Sequence, residues 1–197
     1  HHSESPEAYF AHTAGLRVVC PSNSQEGYDL LGEAIRSDDP VIFLEPKRSY
    51  WAKSELLTDA VPVDFERARI TRTGSDLTLV TYGALMPAVA KVAATLEGEG
   101  KQIEVIDLRS LSPLDDATVV ESVRRTGRLV IAHEASQSGG IAGELATRVQ
   151  EQAFYELEAP ILRVTGYDTP YPASRLEHDW LPNVDRILEA CDRSFTH

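Results

Sequence analysis

Two histidines open the chain, His1 and His2, followed by Ser3-Glu4-Ser5-Pro6-Glu7. Ser5 then Pro6 predicts a helix start: a hydroxyl oxygen that can cap free N–H groups, then a proline whose missing N–H costs nothing in the first turn. A histidine just ahead of that helix lies near its positive end, which lowers the imidazole pKa. Such a group can donate or take a proton near neutral pH, typically worth about 10²–10⁴-fold in rate. The alternative is a solvated terminus or a tag remnant. His12, on the apolar side of the same helix, reads as a packing residue with one hydrogen bond.

A second constellation is Ala34-Ile35-Arg36-Ser37-Asp38-Asp39-Pro40, a helix end running into a strand. Unpaired carbonyls collect at a helix C-terminus. With Ser37 and the Asp39 carboxylate they could cage a hard cation, or simply form a polar turn with solvated acids. Gly139-Gly140, opening a helix, could receive a phosphate on bare N–H groups or allow close helix–strand packing; the full G-x-G-x-x-G pattern is absent. His133-Glu134 lies at a strand's carboxyl end, where α/β folds bind ligands, but reads first as a structural pair. Glu144, Glu151, Glu156 and Glu158 mark an acidic helix face that is solvated or meets a basic partner. The sequence has no Cys/His metal cluster, no G-x-S-x-G and no P-loop.

The elements that must position these residues alternate. Leu16–Cys20 reads as a strand stopped by Pro21, and Ser22 with Gln25 offers a capping box for a helix carrying Tyr28, Leu31 and Ile35. Val41–Leu44 is a short apolar run of the kind covered on both faces. Residues 46–75 lack a sustained period and read as a linker with one short strand at most. Four strand-then-helix units follow: Leu77–Tyr82 with Leu85, Val89, Val92 and Leu96; Ile103–Leu108 with Val119, Val120 and Val123; Arg128–His133 with Ile141–Tyr155; Ile161–Thr165 with Val184–Cys191, capped by Asn183. The pattern predicts an α/β fold of three layers, α/β/α, around a mostly parallel sheet.

The 197 residues carry a net charge of −12, which argues against a nucleic-acid partner. Hydrophobic residues at 42% with 25% charged residues predict a globular chain. No apolar run approaches the roughly 20 residues of a membrane helix. Cys20 and Cys191 sit in apolar patterns and read as buried thiols of a reducing compartment. A start without Met reads as a fragment or a processed chain.

Several motifs together resemble one family. They are His2-Ser3-Glu4-Ser5-Pro6-Glu7-Ala8, Phe43-Leu44-Glu45-Pro46-Lys47-Arg48, Ile106-Asp107-Leu108-Arg109-Ser110-Leu111-Ser112-Pro113, His133-Glu134-Ala135 and Gly166-Tyr167-Asp168-Thr169-Pro170. In this order they resemble the beta subunit of thiamine-diphosphate-dependent 2-oxoacid dehydrogenases, the decarboxylating first component. The Ser5–Ala8 and Gly166–Pro170 strings resemble the branched-chain members more than the pyruvate members. A transketolase or deoxyxylulose-phosphate synthase shares the carboxyl-terminal fold but not these strings.

The resemblance implies that residues 1–55 end a pyrimidine-binding domain, 56–74 link, and 75–197 form a transketolase C-terminal-like domain. It implies thiamine diphosphate with Mg2+, bound between this subunit and an alpha subunit in a heterotetramer, with transfer of the acyl group to the lipoyl arm of an acyltransferase core. His2 maps to the family's active-site histidine, which places a proton or positive charge beside the reacting acyl group. Ala34, Ile35, Ser37 and Asp39 map to a monovalent-cation loop, suited to K+; the family usually has an acid at position 37 and Asn at 39. Trp51 stands where Arg is common. The carboxylate that activates the cofactor maps upstream of His1, so the chain alone is expected to be inactive. Residues 61–197 hold 21 acids against 14 bases, an excess suited to docking the basic face of the acyltransferase core. The implied location is the bacterial cytoplasm or the mitochondrial matrix.

Overall fold

The computed structural model describes residues 3–53, 55, 57, 63–64 and 66–197. His1 and His2 lie outside the described residues. Eight strands form two sheets among the described residues. The chain divides into two parts, and the first contributes helix α1 (Glu7–Ala11), strand β1 (Arg17–Val19), helix α2 (Ser24–Arg36) and strand β2 (Val41–Phe43). The second contributes β3 (Arg69–Arg72), β4 (Leu77–Thr81), α3 (Met86–Gly98), β5 (Ile103–Asp107), β6 (Ser110–Ser112), α4 (Asp116–Thr126), β7 (Leu129–Ser136), α5 (Ile141–Ala153), β8 (Leu162–Gly166), α6 (Glu177–Trp180) and α7 (Val184–Phe195).

The larger sheet has the order β3-β5-β4-β7-β8, parallel except for β3. One face packs on α4 and α5 through Val119, Val123, Leu145 and Val149. The other packs on α3 and α7 through Val89, Val92, Ile187 and Cys191. The three-layer expectation holds. β4 sits between β5 and β7, and the helices that follow β4 and β7 leave on opposite faces. That divergence opens a crevice at the carboxyl ends of these two strands, the place where open α/β sheets bind ligands.

The smaller sheet, β2-β1-β6, stitches the halves together. β1 and β2 are parallel, whereas β6 runs antiparallel to β1, pairing Val18 with Ser112 and Val19 with Ser110. The Cys20 N–H donates to the Arg109 carbonyl at 2.8 Å beside this joint.

Several local expectations are corrected. Pro6, not Ser5, occupies the N-cap of α1, and no side chain caps it. Asn23 caps α2, accepting from the Glu26 N–H, while the Ser22 hydroxyl turns to carboxylates. Tyr28, Leu31 and Ile35 are exposed; Leu30 is the buried apolar residue of α2. β2 is a half-buried edge strand rather than one covered on both faces. His12 is exposed at the end of α1. Cys20 and Cys191 are buried free thiols, as expected.

Candidate functional site

A cleft of about 960 Å3 opens at the crevice between β4 and β7. Its walls come from both halves of the chain. Ser3–Glu7 forms one side, Phe43–Arg48 with Tyr50 another, Tyr82 and Gly83 after β4 and Glu134 on β7 the base, and Tyr171 and Glu177 the rim. Gly83 has φ +61°, and a Cβ there would lie 2.8 Å from the Cys20 sulfur, so the backbone turns tightly beneath the cleft only because the side chain is absent.

Glu7 is 4% exposed although it carries a carboxyl group. The Tyr82 hydroxyl, 75 positions away, donates to Glu7 Oε1 at 2.6 Å. Burial pushes the Glu7 carboxyl up, and the Tyr82 bond opposes that shift. Burial also lifts the Tyr82 phenol, with the Glu7 charge next. Opposite, Arg48 Nη1 donates to Glu134 Oε1 at 2.5 Å. Burial raises the Glu134 carboxyl, and Arg48 pulls it back. The Tyr50 hydroxyl donates to Glu45 at 2.8 Å, and the Tyr171 hydroxyl donates to Glu177. The cleft thus combines an aromatic and aliphatic surface with five carboxyl groups, those of Glu4, Glu7, Glu45, Glu134 and Glu177, against Lys47 and Arg48. Glu7 and Glu134 are poised to hold a proton above the usual carboxylate range.

The segment carrying Tyr171 is built by the Gly166–Pro170 string. Asp168 accepts from the Ser138 N–H (2.9 Å) and hydroxyl (2.7 Å), tying this loop to the one before α5. A Cβ on Gly166 would lie 2.5 Å from the Trp180 ring. Trp180 in turn packs against Tyr171, centroids 4.8 Å apart.

The sequence candidates divide. His2 lies outside the described residues, but Ser3, next in the chain, is on the cleft wall. His133 is buried beneath the cleft: its Nδ1 bonds the Ala135 carbonyl at 3.1 Å, and burial pushes its imidazole down to about 4. Gly140 serves packing, since a Cβ there would sit 2.7 Å from the His133 ring. Glu134, its neighbour, does face the cleft.

Of the cation-loop residues, Ser37 and Asp39 line a separate bowl of about 310 Å3 with Arg17, Arg36, Asp38 and two glutamates, whereas Ala34 and Ile35 are not in its lining. There Arg17 Nε bonds Asp39 Oδ2 at 2.9 Å, the Ala34 carbonyl accepts from the Ser37 N–H, and Ser37 Oγ accepts from the Asp39 N–H. Any cation held by Asp39 has to compete with the guanidinium. The predicted acidic helix face is shorter than expected: α5 ends at Ala153, so Glu156 and Glu158 lie beyond it; Glu144 pairs with Arg148 and Glu158 with Arg128. Trp51 is 91% exposed. Sequence reasoning missed Glu7, Tyr82, Tyr171 and Glu177. The available signal was Tyr82, an aromatic with a hydroxyl at the carboxyl end of a central strand.

Thiamine diphosphate tests poorly against the described residues at its charged end. No group of three or more His, Cys, Asp or Glu among them could hold a metal ion, and carboxylates outnumber cations around the cleft. The aromatic and aliphatic part of these walls suits the ring end of a ligand, and their excess of carboxyl groups does not suit a diphosphate.

Comparison with known proteins matches residues 66–187 to "Transketolase, C-terminal domain" and residues 1–52 to "Transketolase, pyrimidine binding domain". The pyruvate dehydrogenase E1 component subunit beta of Leifsonia xyli is 51% identical over 197 residues, covering 100% of this chain and 58% of its own length. The 3-methyl-2-oxobutanoate dehydrogenase subunit beta of Mycobacterium tuberculosis is 48% identical over 194 residues, covering 98% of this chain and 56% of its own. The chain therefore spans little more than half the length of these relatives. A solved structure described as "Split gene transketolase, inactive beta4 tetramer" superposes with a TM-score of 0.81 at 24% identity, covering 96% of this chain and 60% of that one; it supports the fold alone.

Proposed function

Because the chain belongs to the transketolase C-terminal domain family, we propose that it carries the beta-subunit share of a thiamine-diphosphate-dependent 2-oxoacid dehydrogenase, of the branched-chain type. The observation that carries this reading is the cleft between the two family-matched regions, whose wall begins at Ser3, one residue after His2. His2, the next residue back in the sequence, is the group proposed to offer a proton to an acyl group leaving for a lipoyl arm. Tyr82 fixes Glu7, and Arg48 fixes Glu134, so the walls keep their shape around a reacting group. The diphosphate and Mg2+ ligands fall to the alpha subunit and to sequence beyond these walls. The second role proposed is docking of the acyltransferase core by the acidic carboxyl-terminal region. The compartment is the bacterial cytoplasm or the mitochondrial matrix.

Relatives of both the pyruvate and the branched-chain kind match at similar identity. The branched-chain preference therefore rests on the Ser5–Ala8 and Gly166–Pro170 strings. Full-length subunit assembled with an alpha partner is expected to decarboxylate branched 2-oxoacids faster than pyruvate; the reverse order makes it a pyruvate enzyme. In that assembly His2→Ala is expected to spare decarboxylation and to slow lipoyl acylation by about 10²–10⁴-fold. Unchanged acylation removes the assignment of His2. Potassium that raises the melting temperature more than sodium would support the loop of Ala34, Ile35, Ser37 and Asp39; the Arg17–Asp39 pair predicts equal effects.

A further inference from the structure

Outside the cleft lining, the two halves of the chain meet at a buried cluster of Ser22, Glu26 and Asp107. Ser22 is 6%, Glu26 2% and Asp107 0% exposed. Ser22 Oγ lies 2.7 Å from Glu26 Oε2 and in hydrogen-bond contact with Asp107 Oδ2. A hydroxyl carries one hydrogen, and an ionised carboxylate only accepts. Ser22 can therefore donate to one of the two acids. The other contact becomes a hydrogen bond only if that carboxyl carries a proton and donates it to the hydroxyl oxygen. Two bare carboxylates here would leave one lone pair facing another in a buried site, which is costly.

We infer that Ser22, Glu26 and Asp107 form a binding site for one proton, which joins the two family-matched halves of the chain at neutral pH. Donors converge on Glu26. The Ser22 N–H reaches its Oε2 at 3.2 Å, Arg69 Nη1 lies 3.4 Å from its Oε1, and the acid sits in the first turn of α2, where negative charge is favoured. Among the described residues, the Asp107 carboxylate receives a single backbone donor, the Arg109 N–H at 3.2 Å. The proton belongs on Asp107, giving the relay Asp107 O–H to Ser22 O–H to Glu26. Burial, with the Glu26 charge next, pushes the Asp107 carboxyl well above its usual range in agreement.

The groups facing this pair do not replace the proton. Arg69, from β3 and in register with Asp107, is half exposed and directed at Glu26. The Arg109 guanidinium is spent on the carbonyls of Arg67 and Asp64. Thr81, opposite Asp107 on β4, is uncharged. Cys20, at the end of β1, is a buried thiol that burial holds in its neutral form.

An acid whose folded pKa is raised gives stability that is complete below its unfolded pKa and is lost as pH rises through the folded one. Thermal melts of the full chain between about pH 5 and about pH 9 test this. Wild type is expected to lose about 3–6 °C across that range that Asp107→Asn does not lose, so that the variant melts higher at the alkaline end. A variant that melts below wild type by the same margin at every pH overturns the proton site. Should Asp107→Asn fail to fold, wild type with carbon-13 in its aspartates alone decides by NMR titration. One Asp titrating above the ordinary range supports the site, and none doing so overturns it.

Discussion

Glu7 projects from a helix of five residues and is the only buried residue of that helix, so its contact with Tyr82 anchors the amino-terminal wall of the cleft. Tyr82→Phe leaves this buried carboxyl without its donor. Loss of one partner from a buried polar pair costs about 1–3 kcal/mol. Melting is then expected to fall by about 3–8 °C, with proteolysis of the segment before Glu7 accelerated. Glu7→Gln keeps an acceptor for Tyr82 and cannot ionise. Burial raises the folded pKa of Glu7, so the wild-type contribution is full below the unfolded value and declines as pH rises through the folded one. The stability of Glu7→Gln relative to wild type is therefore expected to improve with pH, as read by denaturant unfolding at several pH values. A constant difference would mean that Glu7 has the same charge in the folded and unfolded states, and that burial does not raise its carboxyl. None of this was legible from spacing: Glu7 looked like a first-turn acid of an ordinary helix, and its partner is 75 positions away.

At the level of elements, the four strand–helix units were legible because each has a local signature, an apolar run followed by a helical period. What failed were elements defined by distant partners. Ser110–Ser112 has no strand signature and becomes β6 only by pairing with β1, more than 90 positions earlier. The Tyr28, Leu31 and Ile35 stripe has the period of a buried face, yet it is Leu30 that packs inward, under Val19. Periodicity fixes that a helix has a face, not what lies against it. The glycines separate the two kinds of information. Gly140→Ala has to push its Cβ into the His133 ring and the Ser136 carbonyl, both 2.7 Å away, and is expected to destabilise by about 1–3 kcal/mol. Gly27→Ala, inside α2 with nothing within 4 Å of the new Cβ, is expected to stabilise by about 0.5–1 kcal/mol. Paired melts of the two variants check the packing role of Gly140; equal effects would remove it.

For the whole molecule, the net charge of −12 acts at a distance only through acids that are not already neutralised. Many are: Asp116 and Glu144 share Arg148, Glu121 pairs with Arg124, and Glu158 with Arg128. Exposed pairs of this kind add little stability and cancel in the far field. Glu151 and Glu156 have no cationic partner among the described residues, and they flank Phe154 and Tyr155, 56% and 95% exposed. A basic docking partner would be steered by such unpaired acids, and steering acts on the association rate more than on the final affinity. The field of exposed charges is screened beyond about 8 Å at physiological salt. If the proposed docking of the acyltransferase core holds, raising salt is expected to slow association of the full chain with the core's subunit-binding domain while leaving dissociation nearly unchanged. Glu151→Lys combined with Glu156→Lys is expected to lower the association rate and flatten its salt dependence. Stopped-flow kinetics across a salt series decide between this and a purely solubilising role for the acids. A salt-independent association rate leaves the aromatic pair and the fold to account for any affinity, and the charge excess would then have no part in recognition.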